Sequence, residues 1–185
     1  MYEIRKTIRK DFCAYKSKFS IDGIYPQAHG TLIGSMLVPA FAVVVRYRIY
    51  RSLYKSKSRL CRLLSKYLYV RTIKKYGCDI HPNAQIGVPF KIGHCSDVVI
   101  GPEAVLGSNC YIFNGVSIGN RYPGDKDEMP IIGDNVVIGT GAKLLGNISI
   151  GNRAKIGALS LIISNVDTGN VAVGIPYRPN KDELG

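Results

Sequence analysis

The sequence predicts a mainly β protein: a parallel β-helix of hexapeptide repeats behind an α-helical N-terminal segment. Three observations predict it. An aliphatic residue recurs every six positions through the C-terminal half. Glycine follows most of these aliphatics. The first 77 residues carry apolar side chains at helical spacing instead, together with nearly all of the excess positive charge.

The repeat comes in three phased blocks: Ile80, Ile86 and Ile92; then Ile100, Leu106, Ile112 and Ile118; then Ile132, Ile138, Leu144, Ile150, Ile156 and Ile162. Nine of these thirteen positions precede a glycine, at 87, 93, 101, 107, 119, 133, 139, 151 and 157. Small side chains recur shortly before the aliphatics (Ala84, Ser96, Ala104, Cys110, Ala142, Ala154 and Ser160). A helix cannot hold a period of six on one face, and a flat strand alternates with a period of two. A period of six describes short strands joined by tight turns, where glycine supplies a permissive backbone. Three hexads make one triangular coil. Coils stack about 4.8 Å apart by strand pairing, and their aliphatics line up as ladders inside the prism. The run supports four to five coils, within a β-helix domain that spans 78–185 and ends in a C-terminal tail.

The preceding segment, 1–77, reads as helical. Ile4, Ile8, Phe12 and Tyr15 share one helix face. Leu60, Leu63, Leu64, Tyr67 and Leu68 follow the spacing of a core-facing helical stripe. "SIDGIYPQAHG", Ser20 to Gly30, reads as a turn-rich linker. "TLIGSMLVPAFAVVV", Thr31 to Val45, is the most apolar stretch, but it falls short of the roughly 20 residues of a membrane span and Pro39 interrupts it.

Charge divides the chain in the same place. Residues 1–77 hold 17 Lys/Arg against 3 Asp/Glu, whereas residues 78–185 hold 8 against 10. The basic segment predicts an anionic neighbour. No zinc-finger, RRM or KH signature supports nucleic acid. An anionic membrane surface fits at least as well, and a solvated basic helix face is the plain alternative. The five cysteines (Cys13, Cys61, Cys78, Cys95 and Cys110) are odd in number and form no CxxC pair. That argues against a disulfide framework and a metal site and fits a reducing compartment. No signal peptide reads at the start, and "KDEL" at Lys181–Leu184 is followed by Gly185, so it is not a terminal retention signal. The expected location is cytoplasmic, with the basic helices suited to the inner membrane face.

The rhythm breaks twice. Ile92 and Ile100 are eight residues apart, and the break contains His94. Ile118 and Ile132 are fourteen apart, which is two hexads plus two residues, or one hexad plus an eight-residue loop. The second insert, "NRYPGDKDEMPI", should protrude from the rigid scaffold.

At this point the chain resembles a known family. "GCDIHPNAQIG", "GH", "VVIG", "LLGNISIGNRAKIGALS" and "VGIPYRP" occur in the order found in hexapeptide-repeat O-acetyltransferases of the serine acetyltransferase type. The resemblance covers about residues 77–180, and "VPAF" followed by Tyr47 and Arg48 adds a weaker likeness. It implies a left-handed β-helix, a homotrimer and acetyl-CoA as acetyl donor. It places the family's catalytic histidine on His94 and its orienting aspartate on Asp79, fifteen residues upstream. A neutral imidazole can take the proton of a hydroxyl as it attacks the thioester, and a carboxylate on the other ring nitrogen fixes the tautomer. No acyl-enzyme is required, so Cys95 is read as structural, as is His81 of "DIHP"; His29 lies in the linker. Acetyl-CoA in this family runs along the C-terminal coils. The matching positions are Asn120, Thr140 and Ala158, with Arg178 and Lys181 for the phosphates.

The departures concern the acceptor. The family's serine-binding aspartate is Gly93 here, and its "RHPK" element aligns with Glu128, Met129, Pro130 and Ile131. An amino-acid carboxylate would meet Glu128 instead of an arginine, and like charges repel. The expected function is therefore an acetyl-CoA-dependent O-acetyltransferase acting on a sugar hydroxyl in bacterial surface polysaccharide biosynthesis, capsular or exopolysaccharide, with Glu128 and Met129 facing the acceptor. Two other readings stand beside it: a serine O-acetyltransferase of cysteine biosynthesis with a reworked pocket, and a non-catalytic trimeric β-helix scaffold.

Overall fold

The computed structural model describes residues 2–16, 32, 36–122 and 129–176. Three helices, α1 (Tyr2–Lys16), α2 (Pro39–Tyr54) and α3 (Arg59–Tyr76), precede fourteen short strands among the described residues. Ser58 caps the start of α3, its side chain accepting from the Cys61 N–H, and Gly77 ends it in the left-handed region at φ 60°. Strand β1 (Cys78–Ile80) begins at the next residue.

Every third strand joins the same sheet as far as β13, and the last strand, β14, pairs with β12. The first sheet runs β1–β4–β7–β10–β13, the second β11–β8–β5–β2 and the third β14–β12–β9–β6–β3, all paired in parallel. The predicted ladders are the registers of these sheets. Ile80, Ile100, Ile118, Leu144 and Ile162 stack in the first sheet. Ile86, Leu106, Ile132 and Ile150 stack in the second. Ile92, Ile112, Ile138 and Ile156 stack in the third, with Ala172 at the end. All are buried and belong to one continuous apolar core. Each isoleucine or leucine contributes about 1.5–3 kcal/mol by leaving water.

Both inserts sit at corners and leave the ladders in register. The first, Gly93–Asp97, turns from β3 (Phe90–Ile92) into β4 (Val98–Ile100). The second separates β7 (Ser117–Gly119) from β8 (Ile131–Ile132), so it is one hexad plus a loop. Ser96 does not share the inward slot of the other small residues. It is exposed in the first insert, and buried Val98 fills the core beside it.

Glycine after the aliphatic also has a different reason from the expected one. The left-handed residues are elsewhere, among them Asp97, Gly115, Gly141 and Leu159 at one corner. What most of the post-aliphatic glycines provide is room. A Cβ on Gly107 would lie 2.6 Å from the carbonyl carbon of Gly133, and one on Gly139 would lie 2.6 Å from the Ala158 nitrogen. At these positions the backbone of the next coil passes too close for a side chain, whereas a Cβ on Gly119 would meet nothing within 4 Å.

Helix α2 closes the open end of the prism. It is apolar nearly all round, and Phe41, Val43, Val44, Tyr47 and Tyr50 are buried, the last four in the core of the coils. Helix α1 packs on it through Phe12 and Tyr15, whose rings lie 5.9 and 5.2 Å from that of Phe41. The buried Asp11 carboxylate accepts from Arg48 Nε at 2.9 Å and from the Phe90 N–H at 2.8 Å. The leucine stripe of α3 faces the other way from the sequence expectation. Its inner side carries Ser65 and Thr72, with Leu68 and Tyr69 packed on the core, while Leu60, Leu63, Leu64 and Tyr67 are exposed. Polar anchors set that rotation: Ser65 Oγ donates to the Tyr50 carbonyl at 2.6 Å, and the Tyr69 ring meets Tyr50 edge-on.

Candidate functional site

The first insert is pinned on both sides. The Asp97 N–H donates to the Gly77 carbonyl at 2.8 Å, and the Gly115 N–H donates to the Ser96 carbonyl at 3.0 Å. His94 is exposed on this corner, while its neighbour Cys95 is buried. Burial raises the Cys95 thiol above its ordinary value, which keeps it protonated and unreactive near neutrality.

The same corner repeats in each later coil. The Gly141 N–H donates to the Asn114 carbonyl and the Leu159 N–H to the Thr140 carbonyl, both at 2.8 Å. His94, Asn114, Thr140 and Ala158 therefore follow one another along a single edge of the prism. By strand spacing that edge runs roughly 14 Å. Thr140 Oγ1 lies 3.3 Å from Asn114 Oδ1 and donates to it. Asn114 was not singled out from the sequence. Its signal is its place, two residues after Ile112, where Thr140 stands two after Ile138.

Asp79 occupies the middle of β1, opposite Val99 in β4. Its Oδ1 accepts from the Tyr69 hydroxyl at 2.5 Å. Burial, and then the bond to this carboxylate, hold the Tyr69 hydroxyl well above its ordinary pKa, so it stays a donor. The bond between Asp97 and Gly77 holds the insert that carries His94 against the segment that leads into Asp79. His81 packs edge-on to Tyr69 at 6.0 Å, and its Nδ1 accepts from the Asn83 N–H at 3.1 Å. Burial lowers its pKa, opposed by Asp79 and Glu103. These contacts make it part of the turn that follows β1.

Beside His94 lies a cavity of about 410 Å³. Its walls are the start of α2 (Val38–Ala40), Lys75 and Tyr76 at the end of α3, and Gly93–Ser96. Lys75 is the one lysine or arginine among the described residues on these walls, its Nζ 5.3 Å from the Tyr76 ring centre. Gly93 faces an aromatic pair. A Cβ there would lie 3.0 Å from the Tyr111 hydroxyl and 3.1 Å from the Phe113 ring. Tyr111 and Phe113 flank the inward Ile112, so strand alternation alone puts both outside the prism. Sequence reasoning passed over Tyr111, Phe113, Lys75 and Tyr69.

The other expected residues are placed differently. Asn120 follows β7 at the start of the second insert, on the edge between the first and second sheets. Met129 ends that insert half-buried over Gly101, where a Cβ would lie 2.6 Å from its Cε. The first sheet separates both from the His94 edge. Glu128, Arg178, Lys181 and His29 lie outside the described residues.

Comparison with known proteins gives this geometry a family. The model "Bacterial transferase hexapeptide (six repeats)" matches residues 129–164, and "Hexapeptide repeat of succinyl-transferase" matches residues 97–121. The chain is 37% identical to the serine acetyltransferase of Synechococcus elongatus over 154 residues, 83% of this chain and 62% of that one. It is 32% identical to the serine acetyltransferase of Helicobacter pylori over 174 residues, 94% of this chain and 91% of that one. It superposes on the crystal structure of serine acetyltransferase in complex with coenzyme A from Brucella abortus with a TM-score of 0.83. That match has 29% identity and covers 96% of this chain and 67% of the other. The chain spans about three fifths of the length of the Synechococcus relative.

The chain belongs to the serine acetyltransferase family of hexapeptide-repeat transferases. This corrects the expected acceptor. A sugar hydroxyl and a role in surface polysaccharide were inferred from Gly93 and Glu128, two positions taken singly. The likeness to serine acetyltransferases along 83–94% of this chain overturns that inference. The physical reason is that groups from the start of α2 and the end of α3 also line the His94 cavity, and hexad alignment does not register them.

Proposed function

We propose that this member of the serine acetyltransferase family is itself a serine O-acetyltransferase, forming O-acetylserine from acetyl-CoA and L-serine for cysteine biosynthesis. The likeness to serine acetyltransferases along nearly the whole chain carries this reading. The continuous edge from His94 to Ala158 supports it, because a long thioester donor needs an extended track that ends at the base.

In this reading His94 is the general base. Its neutral imidazole accepts the proton of the serine hydroxyl as that oxygen bonds to the acetyl carbon. The carbon–sulfur bond then breaks, and the proton passes to the departing coenzyme A sulfur. Asp79 favours the imidazolium that forms on the way, and Tyr69 holds the Asp79 carboxylate in place. Thr140, Asn114 and Ala158 present small side chains and main-chain groups to the donor. Lys75 meets the serine carboxylate, the task an arginine of the second insert serves in the family pattern. The functional unit in this reading is a homotrimer of the 20.3 kDa chain.

The test is thiol release from acetyl-CoA with L-serine as acceptor. Turnover is expected, with His94→Ala slowing it by about 10²–10⁴. No turnover of serine by the unaltered chain, or full activity in His94→Ala, sinks the assignment. Lys75→Gln should raise the serine KM several-fold and leave kcat nearly unchanged, the mark of lost ground-state binding. Light scattering of the purified chain reads the trimer directly.

A further inference from the structure

We propose that the outward face of α3 docks on an anionic lipid surface. Leu60, Leu63, Leu64, Tyr67 and Val70 are exposed there, at 75, 63, 46, 58 and 44%. At 100° per residue they span an arc of roughly 120°, opposite the side that packs on the core. Isolated exposed leucines need no explanation, but a contiguous stripe of five apolar residues does. Charge borders the stripe. Arg59, Arg62 and Lys66 follow one margin, and Arg71 and Lys74 lie at its C-terminal end, all exposed. The helix contains no acidic residue. Arg59, Arg62 and Lys66, with Tyr54 and Leu63, line a hollow of about 620 Å³ that has no carboxylate on its wall among the described residues.

These features select one occupant. A second copy meeting the same face would bring like charges together with no acidic side chain to offset them. Nucleic acid would use the cations but leave the leucines in water. A bilayer rich in anionic lipid uses both: leucine and tyrosine enter the boundary below the headgroups, and arginine and lysine meet the phosphates. The hollow sets three cations beside Leu63, as a headgroup phosphate above an acyl layer requires. No described helix is long and apolar enough to cross a membrane, so α3 would lie in the interface plane. Tyr69 on the inner side of the same helix bonds Asp79, so docking would hold the first coil close to the lipid surface.

The experiment is co-sedimentation of the full chain with two kinds of vesicle, phosphatidylcholine alone and equimolar phosphatidylcholine and phosphatidylglycerol. Binding is expected to the second only, and to weaken as salt is raised. Arg62→Gln with Lys66→Gln should lower partitioning roughly thirtyfold. Leu63→Ser with Leu64→Ser should lower it by about tenfold or more. All four positions are exposed and outside the proposed site, so thermal melting and acetyl transfer should be unchanged. Equal binding to both vesicles, binding to neither, or binding unaffected by either pair overturns the proposal. So does a leucine pair that dissociates an oligomer in solution while vesicle binding stays intact.

Discussion

The coils and the helical cap satisfy the same carbonyl groups by opposite means. Inside the prism each ladder residue has its carbonyl met by the main chain of the coil before it: the Ile100, Leu106 and Ile112 carbonyls accept from the His81, Gly87 and Gly93 N–H groups. The first coil has no coil before it, and such an open edge is costly to bury and hazardous to expose. Here side chains replace main chain, one set for each sheet. The Tyr50 hydroxyl donates to the Ile80 carbonyl at 2.6 Å, Arg48 Nη1 to the Ile86 carbonyl at 2.6 Å, and the Tyr15 hydroxyl to the Ile92 carbonyl at 3.1 Å. The Tyr47 hydroxyl and the Arg51 guanidinium cover the Ala84 carbonyl between them. Repetition stabilises the coils, whereas a handful of particular residues stabilises the cap.

That difference predicts unequal fragility. The largest loss is expected at Asp11→Ala, which strands the buried Arg48 guanidinium without its carboxylate. Denaturant unfolding should show a loss of about 3–5 kcal/mol. A loss no larger than that of an exposed lysine variant would mean that the pair does not latch the cap. Ile118→Ala empties one rung in a middle coil and should cost about 2–5 kcal/mol by the same measurement. If the coils are a repetitive array, hydrogen exchange should rise most in the coil of Ile118 and in the coils on either side of it.

Where cap and coil meet at the site, the effect turns kinetic. Tyr69→Phe removes the hydroxyl from Asp79 and should lower kcat by about tenfold, with the serine KM unchanged. A purely structural tyrosine would move the melting temperature and leave kcat alone. The smallest effect is in pH. His81 has a folded pKa below its ordinary value near 6.5, so the unfolded chain binds that proton more readily. Stability should therefore fall as pH drops through about 6.5, and His81→Asn should flatten that part of the profile. An equally steep profile in the variant would assign the slope to other groups.

Legibility follows the same division. A period of six is a property of neighbours along the chain, so it could be read before any coordinate was known. The break at His94 was read in the same way, because an insertion shifts the phase of everything after it. The direction of the α3 stripe could not be read. Periodicity says which residues share a face, and here hydrogen bonds from Ser65 and Tyr69 decide which face turns inward. The acceptor was misjudged for a related reason: Gly93 and Glu128 were weighed as single letters, while Lys75 enters the cavity from a helix eighteen residues upstream of Gly93.

By itself the sequence determined a triangular array of coils, its register and its two inserts, because main-chain pairing and aliphatic burial repeat locally and each coil specifies the next. Only the tertiary structure decided how the array ends, what surrounds His94 and which side of α3 meets solvent. Those features depend on side chains far apart in the chain converging on carbonyls and carboxylates, and no local period encodes such a convergence.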